Sequence, residues 1–315
     1  MARNKRKTLR ERITTNYFTL SGVLVVCALL WLLPAGTDYR TWGGFAVAVV
    51  LTFLLRESNN HFQWIRVRSR MTSSTFLMLA TVCLPCHSLS WAWIPPFCLL
   101  GAYDLLFAAL SQRRPAGYVF HAFLLLTLGT AVWPQMAFML PLFMWQLGFR
   151  LHILSWRTFF AALLGIAFPL WLYFAWSVWT DSVPTMFAFL QICRMWSVPD
   201  LTQWASAPRF YFAFIMVCAF FGLLHYARGR FRDKKIVRDM HYVMISHELL
   251  LLVLMVLFPA DFSLMLPVVL LNTAPLLSHY FTLAKGHWAM GIWFDVWLIG
   301  FALIWTAGQM GWWGL

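Results

Sequence analysis

An all-α, polytopic bundle of transmembrane helices is the fold class that three observations predict. Hydrophobic residues make up 61% of the 315-residue chain and charged residues 11%, where soluble domains run nearer about half and about a quarter. The apolar residues fall into about eleven runs, each bounded by charge, Pro or Gly. The Lys and Arg residues gather in alternate segments between those runs, which is the signature of basic loops kept on the cytoplasmic side. Helix is the form these runs must take, because lipid offers backbone N–H and C=O groups no partner. A barrel would need polar/apolar alternation, which the runs lack.

The runs are 17–34, 42–55, 73–90, 95–110, 116–132, 134–149, 158–179, 210–227, 242–258, 262–283 and 288–310. The first follows a basic cytoplasmic segment, 1–16, with Arg3, Lys5, Arg6, Lys7, Arg10 and Arg12. Pro34-Ala35-Gly36 behind it is a poor cleavage site, so 17–34 reads as a membrane helix and not as a signal peptide. Runs 42–55, 95–110 and 134–149 are short. Sixteen residues of helix reach about 24 Å, against a hydrocarbon core of about 30 Å. Such helices must thin the bilayer or pack away from lipid, as half-helices around an internal cavity do.

Trp93 to Phe97, Trp133 to Phe138 and Phe258 to Phe262 each mark an outer hairpin turn, followed by an inward-running helix. Met-Leu-Pro recurs in two of those helices, at 139–141 and 265–267, where Pro is expected to kink them. Shared topology explains the likeness better than duplication. The segment 180–208 is the one long outer loop, and Thr185 to Trp196 within it is expected to lie as a helix in the outer interface or to re-enter the membrane. The stretch 228–241 reads as a basic cytoplasmic loop. The chain as a whole, 1–315, reads as one integral membrane domain.

With the N-terminus in the cytoplasm, every Lys and Arg falls inside except Arg40, Arg194 and Arg209. Dropping one span would flip every later loop and spoil that count. The expected location is a bacterial inner membrane, multi-pass, with Gly311 to Leu315 outside. The net charge of +13 then calls for anionic lipid headgroups at the cytoplasmic loops, at about 1 kcal/mol per basic residue, and not for nucleic acid. Other membrane proteins are the second class of partner expected. The 19 Trp residues gather at the presumed interfaces, as an aromatic belt does.

Cys83-Leu-Pro-Cys86-His87 matches the C-x-x-C-H pattern of c-type haem attachment and the C-x-x-C of redox pairs. Haem attachment needs a folded pocket outside the membrane, and the flanks here are apolar helix, so haem at Cys83, Cys86 and His87 is disfavoured. A membrane thiol oxidase needs a second cysteine pair, whereas Cys27, Cys98, Cys193 and Cys218 stand singly. Cysteine as a small apolar residue is the preferred reading. No metal site is expected: Leu251 stands where a zinc motif starting at His247-Glu248 needs its second His.

Ionisable groups inside the spans point more directly to function. Asp104, His247, Glu248, His279 and Asp295 form a candidate buried polar set, since a charge in lipid costs about 3 kcal/mol or more and so faces a partner or water. His247-Glu248 and Ser278-His279 are expected on adjacent helices, as a proton relay or a structural clasp. Asn16 and Asn272 read as caps or helix glue.

On the outer face stand Asp38, Arg40, Asp181, Arg194, Asp200 and Arg209. The layout resembles that of GT-C-type membrane glycosyltransferases, which have many spans, short helices, a substantial outer loop and a carboxylate in the first outer loop. That resemblance implies Asp38 as the catalytic residue and a lipid-linked sugar as substrate. The C-terminal third, with Asn272 to His279, is similar to bacterial inner-membrane proteins, which implies location and no activity. Two further readings stand beside this one. One is a non-enzymatic membrane subunit of an envelope complex. The other is an ion-coupled transporter using the buried carboxylates, although paired halves of the usual carrier kind are not evident.

Overall fold

A computed structural model describes residues 9–36, 38–67, 69–181, 206–284 and 289–312. Every regular element among them is helical, and no strand forms. The α-helices are α1 (Leu9–Thr15), α2 (Thr19–Ala35), α3 (Tyr39–Phe62), α4 (Met71–Val82), α5 (Ile94–Ala109), α6 (Ala116–Thr130), α7 (Met139–Phe149), α8 (Trp156–Trp179), α9 (Ser206–Gly229), α10 (Lys235–Leu257), α11 (Phe262–Leu283) and α12 (Ala289–Gln309). Among the described residues, six helical stretches are long and apolar enough to cross a membrane: Trp91–Ala109, Trp156–Trp179, Pro208–Arg232, Lys235–Leu257, Pro259–Leu283 and Ile292–Gln309.

Several helix ends differ from the apolar runs, each for a local reason. The run 42–55 sits within the longer α3, which continues past Arg56 to Phe62, with Ser58 and Asn59 buried on the extension. The run 73–90 yields a helix only to Val82. Pro85 has no N–H and cannot continue it, so Leu84–Cys86 forms a 3-10 turn. Pro134–Phe138 likewise is 3-10, leaving α7 at Met139–Phe149. The basic stretch 228–241 is largely helical: α9 runs to Gly229, a 3-10 turn covers Arg230–Arg232, and α10 starts at Lys235. Helix needs no lipid to form once an apolar face nucleates it, so charged residues continue α9 and α10 beyond their apolar parts.

The chain divides into two compact units. Unit 1 holds Met1–Ser90, Gln203–Arg238 and Leu270–Leu315; unit 2 holds Trp91–Thr202 and Asp239–Val269. In unit 1, α4 packs against α2, α3 and α12. It is buried at all but one of its positions, including Thr72, Ser73, Ser74 and Thr75. At roughly 18 Å it is too short to span, and it solves that by lying inside protein. Its hydroxyls bond within the protein: Ser74 Oγ donates to Arg70 O at 3.0 Å and Thr81 Oγ1 to Leu77 O at 2.8 Å. Helix α2 ends at Gly36, whose φ of +57° only glycine adopts freely.

In unit 2, α6 packs between α5 and α8. Gly165 of α8 lies where a Cβ would sit 2.4 Å from Phe120 O, so its lack of a side chain lets the two helices meet. Helix α8 starts from a reciprocal cap: Thr158 N donates to Ser155 Oγ at 3.3 Å, and Ser155 N to Thr158 Oγ1 at 2.7 Å. Beyond Gly165, α8 exposes Phe168, Trp171, Leu172, Phe174, Trp176 and Trp179, an apolar surface suited to lipid. Two of the three matching hairpin turns meet in this unit, where the Phe138 and Phe258 rings lie 6.2 Å apart.

Candidate functional site

Among the described residues of unit 1, two of the concavities have opposite character. The first is an open groove of about 520 Å³ between α2, α4 and α12. Helical spacing builds its walls: Val23, Cys27 and Leu30 share one face of α2, and Phe294, Leu298, Phe301 and Trp305 share one face of α12. Met71 and Met78 of α4 form the floor, with flexible thioether chains that adapt to irregular shapes. Gly22 opens the groove further, with nothing within 4 Å of where its Cβ would be. Arg12 in the last turn of α1 and Asn16 in the link to α2 supply a cation and an amide at one end. Near the floor the Trp305 indole N–H is buried without a protein partner among the described residues.

The second is a polar pocket of about 190 Å³ lined by Arg66, His225, Arg228, Gly229, Arg232, Asp233, His279 and Leu283. Asp233 stands in extended conformation in the short link between the 3-10 turn Arg230–Arg232 and α10. That places its carboxylate against α11, where His279 Nε2 lies 3.3 Å from Asp233 Oδ2, both side chains being 2% exposed. Arg66 Nη1 lies 4.0 Å from Asp233 Oδ1, with its own side chain 37% exposed. The His225 and Tyr226 rings each pack 5.4 Å from that of His279. At the residue before His279, Ser278 Oγ lies 3.1 Å from Thr72 Oγ1, tying α4 to α11.

The five buried polar candidates fall into separate units. His279 and Asp295 belong to unit 1, and Asp104, His247 and Glu248 to unit 2. His279 has Asp233 for a neighbour, while Asp295 is half-buried on α12. In unit 2, His247 is fully buried, its ring 4.1 Å from Phe143 and 5.6 Å from Tyr103. Its Nδ1 lies 2.8 Å from Val243 O, and a carbonyl only accepts, so Nδ1 carries the proton. Nε2 is then left without a protein partner among the described residues. Glu248 is fully buried close to Tyr103, and elsewhere on α10 Ser246 Oγ accepts from Gln146 Nε2 at 2.5 Å.

Asp38 is the N-cap of α3. Its carboxylate accepts from Thr41 Oγ1 at 2.7 Å and from the Arg40 and Thr41 amides at 3.2 Å each. The Thr41 hydroxyl, and after it the Arg40 amide, hold this carboxyl below its ordinary pKa. Arg40 is exposed, and its carbonyl accepts from Leu89 N at 2.9 Å. Arg209 is exposed on α9 in unit 1, and Asp181 is exposed at the end of α8 in unit 2 with a φ of +51°. Arg194, Asp200 and the segment Thr185 to Trp196 lie outside the described residues.

The Cys83 to His87 string packs as a turn. Both thiols are free and buried. His87 stacks on Trp31 with ring centroids 4.0 Å apart, and its Nε2 donates to Thr81 O at 2.8 Å. The turn presses so closely on α3 that a Cβ on Gly44 would stand 2.2 Å from His87 O.

Sequence reasoning missed Asp233 and Arg66, taking both for members of solvated basic stretches. The available signal was an acid in the middle of a basic run, between Arg232 and Lys234. The groove had no such signal, since its walls are ordinary apolar helix faces. Compared with known families, curated proteins and solved structures, the chain matches none.

Proposed function

We propose that this is a polytopic bacterial inner-membrane protein of about eleven spans, N-terminus cytoplasmic, that takes a long-chain lipid into the groove between α2, α4 and α12. The class of lipid is one that carries a sugar through a phosphate. The observation that carries the proposal is the groove itself: about 520 Å³, apolar along its walls, with Arg12 and Asn16 at one end. That volume is in the range of small-molecule sites, and an apolar slot ending in a cation matches a lipid with an anionic head. The Met residues of its floor adapt to a flexible chain. Asp38 enters this proposal as the cap of α3 and not as the reacting carboxylate, because its oxygens are already engaged by Thr41 and Arg40.

The test is mass spectrometry of lipids retained by protein purified in mild detergent. Gly22→Phe introduces a ring into open space, so it fills the groove without displacing backbone. Wild type is expected to retain a long-chain lipid phosphate that Gly22→Phe loses while staying folded. Equal retention by both proteins overturns the proposal.

A carrier role is the second reading, and one observation favours it: fully buried Glu248 follows fully buried His247, whose Nε2 has no protein partner among the described residues. Uptake by proteoliposomes that is indifferent to Glu248→Gln removes this reading.

A further inference from the structure

We propose that the pocket at the junction of α9, α11 and the link before α4 is a binding site for a phosphate group, clamped by Arg66, Arg228 and Arg232. It stands independently of the lipid groove, because it is a separate cavity with its own lining.

Charge arithmetic comes first. Three arginines and one aspartate line a concavity of about 190 Å³, the arginines being solvent-exposed residues at its rim. The Asp233 carboxylate already has His279 at 3.3 Å and Arg66 at 4.0 Å. Arg228 and Arg232 have neither an ion pair nor a hydrogen bond among the described residues. Arg228 lies in the last turn of α9 and Arg232 in the 3-10 turn that follows, with no acid between them in sequence. A single arginine at the end of α9 would be explained by the helix dipole, which favours cations there. Three of them converging on one hollow call for a counter-ion.

Shape comes second. The hollow has room for roughly six waters at about 30 Å³ each, more than a phosphate group requires. Gly229 lies between the two free arginines with nothing within 4 Å of where its Cβ would be, which keeps the floor clear. Arginine presents a planar fork of N–H donors that meets two phosphate oxygens at once, which an ammonium does not do.

Positioning comes third. Asp233 is itself fixed by His279, and it draws the Arg66 guanidinium to the rim of the pocket. The acid therefore works as a positioning residue for Arg66, and its charge is too well matched to cancel the other two arginines. The ligand is a phosphate monoester or diester, whether a soluble compound or the head of a membrane lipid.

The experiment uses full-length protein in nanodiscs of neutral phosphatidylcholine, with thermal unfolding as the readout. Inorganic phosphate and glycerol phosphate are titrated against chloride at matched ionic strength, and a parallel set of nanodiscs contains phosphatidic acid. The double variant Arg228→Gln, Arg232→Gln is compared with Arg113→Gln, Arg114→Gln, which removes equal charge from an exposed loop elsewhere. Stabilisation by the soluble phosphates, lost in the first variant and kept in the second, supports the site with a soluble ligand. Stabilisation only by phosphatidic acid, with the same pattern, supports it with a lipid head. Apparent affinity is expected to fall about tenfold for each arginine removed. No phosphate-specific stabilisation in either set, or an equal response from both variants, overturns the proposal.

Discussion

Removing the Asp233 carboxylate should cost this protein about 2–3 kcal/mol, and the structure says where that comes from. Asp233 and His279 lie 3.3 Å apart with side chains 2% exposed, so water cannot replace either partner. Losing a buried hydrogen bond to a charged group costs about 1.5–3 kcal/mol. The Arg66 contact adds less. At 4.0 Å a bare ion pair near a protein surface is worth about 4 kcal/mol in an effective dielectric of 20. However, the Arg66 side chain is 37% exposed, and pairs with such access to water contribute about 0–1 kcal/mol once screening and side-chain entropy are included. Asp233→Ala is therefore expected to lose most of its stability through His279. Asp233→Asn keeps a group that can bond the imidazole, so it should cost about 1 kcal/mol. The assay is reversible denaturation in mixed micelles, run as a double-mutant cycle with His279→Ala and with Arg66→Met. Coupling of Asp233 to His279 should exceed its coupling to Arg66. The reasoning is refuted if Asp233→Ala falls within about 0.5 kcal/mol of wild type, the range of ordinary surface substitutions, or if Arg66 proves the stronger partner.

Three further outcomes follow from single positions. Gly44→Ala should cost about 1–3 kcal/mol, because its Cβ would meet a backbone oxygen at 2.2 Å that cannot step aside, while Gly117→Ala, which meets nothing within 4 Å, should be neutral or gain up to about 1 kcal/mol; equal unfolding midpoints would contradict this. Asp38→Ala should lower the unfolding midpoint and Asp38→Asn leave it nearly unchanged, since Asn caps helices as well as Asp does; a cellular glycan product abolished by Asp38→Asn in a stably folded protein would assign the carboxylate to catalysis. Ser278 Oγ already donates to Pro275 O at 2.9 Å, so Thr72 must be the donor between the two hydroxyls. Thr72→Val should then cost about 0.6 kcal/mol and Ser278→Ala more, because the latter strands a donor; the reverse order in unfolding experiments would show the assignment to be wrong.

The helical class and most helix positions were legible because lipid forces both. The run 262–283 coincides with α11, which follows the 3-10 turn Pro259–Asp261, and 158–179 nearly coincides with α8, which starts at the Ser155 cap. What was not legible depended on long-range packing. Polarity alone ended the second run at Arg56, yet α3 continues to Phe62 because Asn59 Nδ2 donates to Ser69 O at 3.3 Å, across a link the sequence does not announce. Asp38 stood out by its position after the first span, and its bonds to residues 40 and 41 show that it also caps α3, a role that the local pattern of an acid followed three residues later by Thr announces. His279 was singled out, but its neighbour Asp233 lies 46 residues away in sequence, and no spacing rule reaches that far.

The basic residues show most sharply why topology and function are different readings of one charge pattern. Sequence treats each Lys or Arg between the apolar runs alike, as a mark of sidedness. The folded chain divides them by environment. Arg10 is buried and donates to Ala284 O at 2.7 Å, just past the end of α11, where the helix dipole favours a cation. Arg70 lies over the Tyr17 ring at 4.3 Å, and Arg150 over Tyr242 at 4.0 Å, each occupied by a cation–π contact. Those three are explained by what they touch. Arg228 and Arg232 touch no such partner among the described residues, yet they converge with Arg66 on a hollow whose acid is already matched. A positive charge needed only for sidedness would be as well placed in open solvent. Arg228 and Arg232 are exposed, as sidedness alone would have them; that they line one concavity together with Arg66 is the feature that sidedness leaves unexplained and an anionic ligand accounts for.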